Sequence, residues 1–143
     1  MIHRKFLAPL ALALGLSVAN MATAQSLTMG VRGGPESLDP HYSALGSHAE
    51  AAKHIFDTLV WSGDDLQIEG GLATSWKPID DTTWEFKLRE GVKFHDGGDF
   101  NADDVIFSWK RTLTAGSDMK GYGSRMKDIK KIDDYTIEVE TPA

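Results

Sequence analysis

The sequence has 143 residues, is 41% hydrophobic and 25% charged, and carries a formal net charge of −6. These proportions are those of an ordinary globular protein, and they leave no basic patch large enough for nucleic acid or an anionic membrane surface. The densest basic cluster, Lys127, Lys130 and Lys131, is diluted by Asp128, Asp133 and Asp134, and with no cysteine in the chain its stability must come from packing rather than disulfides.

Residues 1–24 read as a signal peptide. His3, Arg4 and Lys5 make a positive start, Phe6 to Val18 is uncharged and apolar, and Ala22-Thr23-Ala24 is a small-x-small cleavage site before Gln25. The apolar run is shorter than the about 20 residues needed to span a bilayer. Losing Arg4 and Lys5 leaves 13 basic residues against 21 acidic ones, a mature formal charge of −8.

Leu27, Met29 and Val31 alternate toward one side, so Ser26 to Val31 reads as a strand ended by Gly33-Gly34-Pro35. Ser37-Leu38-Asp39-Pro40 is expected to be extended, because proline disfavours helix at the residue before it. A helix is expected from about Ser47, with Ala51, Ala52, Ile55, Phe56 and Leu59 on one apolar face. Gly63, Gly70 and Gly71 then punctuate a short connection that includes Leu66 and Ile68.

The most strongly patterned stretch is Leu72 to Arg111. Trp84, Phe86 and Leu88 alternate with Thr83, Glu85, Lys87 and Arg89 as in a half-buried strand. Trp76 lies on the run before it, and Asp80-Asp81-Thr82 supplies the turn between them. After Asp96-Gly97-Gly98, Asn101 has the chemistry of a helix N-cap, and Asp104 three residues later completes a capping box. Phe100 and Val105 are placed to form a hydrophobic staple. The helix would bury Ala102, Val105, Ile106, Trp109 and Leu113, with Asp103 and Asp104 at its start, Lys110 and Arg111 near its end, and Gly116 as its stop. Ala115 to Ser124 reads as a glycine-rich loop carrying Tyr122.

A quasi-repeat follows. Lys77 to Phe86 and Lys130 to Val139 share the pattern Lys-x-Ile-Asp-Asp-x-Thr-apolar-Glu-apolar. Both copies read as hairpins with an Asp-Asp turn, and two copies alone do not make a solenoid.

No catalytic or cofactor constellation emerges. His41, His48, His54 and His95 include no pair at helical i, i+4 spacing, so no metal site is expected. The run from Asp96 to Asp104 places Gly98 and Phe100 where a calcium loop needs side-chain oxygens. There is no Gly-x-Ser-x-Gly elbow, and Gly30 to Gly34 fits neither a dinucleotide nor a P-loop pattern. The chain is therefore read as a non-enzyme that needs no cofactor. Of the aromatic residues, Trp76, Trp84, Phe86, Phe94, Phe107 and Trp109 are expected mostly in the core, while Tyr42 and Tyr122 fall in loops beside small residues.

SLDPH, FDTLV, GGLATSW, DDTTWEFKLREGVKFHDG and FNADDVIFSWKR occur in order and at the expected spacing. Together they resemble the N-terminal signature of the family 5 extracytoplasmic solute-binding proteins, the peptide and nickel type that feed ABC importers. Gly98-Asp99 departs from the small residue and proline more usual there. The resemblance implies an α/β, two-lobed fold of the type II periplasmic binding protein class, here the N-terminal part of a longer protein. Residues 25–56 would start the first lobe, and residues 57–143 would make most of an inserted β-rich subdomain.

The function implied is capture of a small solute, an oligopeptide or dipeptide first, as a monomer, and its delivery to an ABC permease and ATPase. The alternative is a periplasmic sensor or peptide-binding chaperone. With no cysteine to carry a lipid, the resemblance implies an unanchored protein of the periplasm. It also implies that the segment after SLDPH, covering Tyr42, Ser43, Ala44, Leu45 and Gly46, approaches the ligand. Tyr122, in the loop after the capped helix, would join it as an aromatic contact.

Overall fold

The computed structural model describes Thr28, Gly30 and residues 33–143. The signal peptide and most of the strand expected at Ser26 to Val31 lie outside the described residues, while Thr28 and Gly30 themselves belong to no regular element.

A four-stranded antiparallel sheet carries the fold. β1 (Val60–Ser62) and β2 (Ile68–Gly70) form a small hairpin of their own, and β3 (Ala73–Pro78), β4 (Thr83–Leu88), β5 (Asp128–Asp133) and β6 (Thr136–Glu140) form the main sheet. Its order is β3-β4-β6-β5, so the two repeat-like hairpins meet along β4 and β6. The Asp-Asp turns work as expected. The Asp80 carboxylate accepts from the amides of Thr82 and Thr83, both at 2.8 Å. Asp133 accepts from the Tyr135 amide at the same distance. Each aspartate thus closes its turn in place of a backbone acceptor.

The register makes the quasi-repeat a local two-fold. Trp84 pairs with Val139, the counterpart of Phe86, and Phe86 pairs with Ile137, the counterpart of Trp84. Glu85 and Glu138, equivalent in the repeat, face each other at the centre. Lys77 lies opposite Glu85 and Lys130 opposite Glu138, giving a Lys-Glu-Glu-Lys row across the four strands.

The other face of the sheet is apolar. α2 (Ala102–Thr112) covers it and closes a core of Leu88, Phe100, Ala102, Trp109, Ile129, Ile137 and Val139. Ile137 is fully buried. The cap forms as the sequence dictates: Asn101 Oδ1 accepts from the Asp103 amide at 2.8 Å, and Asp104 Oδ2 accepts from the Asn101 amide at 2.9 Å. Phe100 and Val105 both join the core, as a staple requires. The helix start is tied to the β5–β6 turn, where the Ala102 amide donates to the Asp134 carbonyl and Lys131 bridges Asp103 and Asp134.

Four expectations need correction. The first helix, α1 (Gly46–Ala52), stops early. The amides of His54 and Ile55 donate to carbonyls three residues back, which tightens and ends the last turn. Leu59 cannot continue it, because its carbonyl accepts from Gly71 and Ala73. Ile55 and Phe56 are consequently exposed. The glycine-punctuated connection contains the β1–β2 hairpin. α2 ends at Thr112 with Leu113 as C-cap, so Gly116 lies beyond its stop, although its φ of 91° suits the turn there. Among the aromatics, Trp109 is buried and Phe86 packs on the core, whereas Phe107 is 67% exposed, Phe94 46% and Trp84 37%. Phe107 sits on the outer side of α2, away from the sequence positions that pack inward, and Trp84 has only Pro78 and Val139 as lateral neighbours in the sheet.

Candidate functional site

Two stretches far apart in sequence meet beside the C-terminal end of α2. The first is the segment from Asp39 to Gly46, a turn at Pro40-His41 followed by the approach to α1. The second is the connection from Thr114 to Met119, followed by the one-turn helix α3 (Lys120–Gly123).

Asp39 and Arg111 join them. Asp39 is held in place locally: its amide donates to Ser37 Oγ at 3.0 Å, and its Oδ1 accepts from the His41 amide at 2.9 Å. Arg111 then presents a two-point fork, Nη1 to Oδ1 at 2.7 Å and Nη2 to Oδ2 at 2.5 Å. Such a planar pairing fixes orientation as well as distance. The Arg111 hydrogen bonds hold the Asp39 carboxyl far below the usual carboxylate range, and the same pairing raises Arg111. Arg111 Nη1 also donates to His41 Nδ1 at 2.9 Å. That leaves the His41 ring neutral, in keeping with its lowered pKa, caused by burial first and then by the Arg111 charge. Below this cluster, His48 is buried and its Nε2 donates to the Asp39 carbonyl at 2.7 Å. His48 Nδ1 is buried without a partner among the described residues.

A second tie lies on the other side. The Asp118 amide donates to the His41 carbonyl at 3.0 Å, and Asp118 Oδ2 accepts from the Ala44 amide at 2.8 Å. Asp39, His41, Arg111, Thr114, Ala115, Gly116 and Ser117 enclose a small recess between the two stretches.

The six residues singled out from sequence take these places. Tyr42 is exposed, with its ring 6.1 Å from His48 and its hydroxyl 3.5 Å from Glu36. Ser43 Oγ accepts from the Leu45 amide at 3.2 Å, Ala44 is bound by Asp118, Leu45 is exposed, and Gly46 begins α1. Tyr122 is 58% exposed, with the Arg125 guanidinium 5.6 Å from its ring centroid. It does not lie in the loose loop expected. Gly123 is buried against α2, and a Cβ there would come within 1.9 Å of Thr112 Oγ1. The buried Trp109 Nε1 donates to the Gly123 carbonyl at 3.0 Å. The glycine is therefore a close-packing requirement, and it fixes α3 to α2 with Tyr122 facing solvent. Tyr42 to Gly46 is thus joined to the α3 connection through Asp118, and among the described residues no hydrogen bond or ring contact joins Tyr42 to Tyr122.

Sequence reasoning missed Asp39, His41, Arg111 and Asp118 as a working group. In sequence, Arg111 reads only as a charge suited to the helix dipole. The available signal was chemical complementarity, an aspartate fixed before Pro40 and an arginine at a helix end, with no spacing rule to join them.

A larger apolar recess of about 560 Å³ opens on the core side. Ile55, Phe56, Leu72, Phe100, Val105 and Trp109 are among its walls, and His41 stands at the boundary between it and the Asp39–Arg111 cluster.

The family model for bacterial extracellular solute-binding proteins, family 5 (middle), matches residues 67–143. The chain belongs to that family. It is 31% identical to di/tripeptide-binding protein 4 of Pseudomonas aeruginosa over 90% of this chain and 28% of that protein. It is 32% identical to the glutathione-binding protein GsiB of Escherichia coli K12, over 96% of this chain and 28% of that protein. Among solved structures, OppA of Burkholderia pseudomallei superposes with a TM-score of 0.74 at 27% identity, over 79% of this chain and 26% of that one. That likeness puts the described fold in the α/β, type II periplasmic binding protein class. The chain spans less than a third of the length of these relatives.

Proposed function

We propose that this chain forms part of a periplasmic solute-binding protein that captures a small peptide and delivers it to an ABC permease. The observation that carries this reading is the joining of the Asp39–Gly46 segment to the α3 connection through Asp39–Arg111 and Asp118. These ties hold backbone and an exposed aromatic side chain at one surface without engaging any catalytic group. A preorganised surface of this kind spends little affinity on ordering itself when a solute arrives. The names of the relatives support the substrate class, since one is called di/tripeptide-binding and the other binds glutathione, itself a tripeptide.

In this reading residues 25–56 belong to the first lobe and residues 57–143 to the inserted subdomain, with Asp39–Arg111 tying one to the other. Tyr42 to Gly46 and Tyr122 line the solute. Binding energy does the work, and no bond is made or broken. The protein acts as a monomer in the periplasm. Native mass spectrometry of the complete protein carrying this sequence, purified from the periplasm, tests it. A co-purifying mass in the di- to oligopeptide range is expected; a recurrent non-peptide mass would reassign the solute.

A further inference from the structure

Asp118 is an exposed residue that makes two bonds to the segment after Pro40, one from its backbone amide and one to its carboxylate, and neither serves the hydrophobic core. Its amide donates to the His41 carbonyl, and its carboxylate accepts from the Ala44 amide, 74 residues away in sequence. Two residues on, α3 begins and carries Tyr122. Met119 has its amide on Ser117 Oγ at 3.2 Å, and the Tyr122 amide donates to the Met119 carbonyl at 3.0 Å. Asp118 is therefore the point where both parts of the proposed surface are joined directly.

We infer that Asp118 is a positioning residue for solute binding: its carboxylate sets the path of Ser43 to Gly46 relative to Tyr122. This rests on the solute-binding reading above. The Asp39–Arg111 fork anchors one end of the segment, but Ala44 is five residues beyond Asp39. Beyond Ala44 the Leu45 amide donates to Ser43 Oγ and the Leu45 carbonyl accepts from the His48 and Ala49 amides, so Ala44 is the residue whose amide depends on Asp118. Leu45 is extended and offers no side-chain cap to α1. Without the Asp118 carboxylate, the Ala44 amide would turn to water and Ser43-Ala44, between the Tyr42 turn and the start of α1, would be free to shift. The fold would persist, because the core residues lie on the sheet and α2.

The chemistry predicts a particular pattern of rescue. An asparagine retains a carbonyl oxygen that can accept from Ala44, whereas alanine cannot. The complete protein is titrated calorimetrically with tri-L-alanine as wild type, Asp118→Ala and Asp118→Asn. Amide exchange at Ala44 and thermal melts without peptide are recorded beside the titrations. Asp118→Ala is expected to weaken binding about five- to tenfold, the worth of one hydrogen bond, and to speed exchange at Ala44. Its melting temperature should stay near that of wild type, and Asp118→Asn should recover most of the affinity. Equal affinity for wild type and Asp118→Ala overturns the inference. Equal loss in both variants does so too, because it would mean that the charge, not the acceptor, matters. A large drop in melting temperature would make Asp118 a folding residue. If wild type binds no peptide, the solute reading itself fails and the inference goes with it.

Discussion

Asp39 and Arg111, 72 residues apart, form a two-point ion pair that fastens the chain around Pro40 to the end of α2. Their side chains are 36% and 39% exposed, so solvent screens part of the attraction. The geometry matters more than the energy: a planar fork permits one relative orientation, and His41 fills the remaining side of it.

Replacing Arg111 by lysine keeps the charge and loses the fork. Arg111→Lys should destabilise the protein by about 1 kcal/mol or less. It should reduce solute affinity by a larger factor than it reduces stability, because the segment loses its set orientation. Urea melts and peptide titration of the same preparation separate these effects.

Acid should loosen this attachment in two steps of the same sign. His41 is lowered from its ordinary 6.5, so the unfolded chain takes up its proton first, and stability falls as pH drops below that value. Asp39 is lowered from its ordinary 3.8, so its contribution is present above that pH and is lost as pH falls through its depressed folded value. Denaturant melts across this range should show both losses. His41→Gln should remove the upper step and leave the lower one.

The core block gives a contrast in magnitudes. Asn101→Ala should cost about 1 kcal/mol by orphaning a first-turn amide. Ile137→Ala should cost roughly 2–5 kcal/mol because the site is fully enclosed. Trp84→Ala should cost less than Ile137→Ala despite the larger side chain, since Trp84 is 37% exposed. Thermal melts of the three variants rank them.

Much of this was legible in the sequence, and the limits have physical causes. The capping box, the Asp-Asp turns and the alternation along β4 depend on near neighbours, so the sequence contains all the information they need. The end of α1 was not legible, because Leu59 is claimed by Gly71 and Ala73, partners that no helical periodicity can reveal. The exposure of Trp84 and Phe107 depends on what lies above them, which alternation does not encode. At the site, Tyr122 was visible as an aromatic between glycines, but the reason for Gly123 lies in its contact with Thr112. Asp118 gave no signal at all; its two bonds exist only once the segments have met.

The repeat produces one unfavourable contact. Glu85 and Glu138 face each other on the polar side of β4 and β6. Glu85 has Lys77 at 3.2 Å, but Lys130, the equivalent of Lys77, reaches Glu140 at 3.7 Å. Like charges directly opposite in a sheet are destabilising, so Glu138→Gln should stabilise the protein by roughly 0.2–1 kcal/mol. The gain should shrink in high salt, and paired melts at low and high ionic strength check it.

The most direct test of the central claim, that this surface holds a small peptide, is a thermal-shift titration of the complete protein with di- and tripeptides, run beside Tyr122→Ala. A ligand that binds only the folded state at a hundred times its Kd adds about 2.7 kcal/mol of stability. Wild type should show a saturable rise in melting temperature. Tyr122→Ala should melt like wild type without peptide and need about five- to thirtyfold more peptide for the same rise, the loss of a 1–2 kcal/mol aromatic contact. No shift in wild type with any peptide, or identical titrations for the two proteins, would contradict the account.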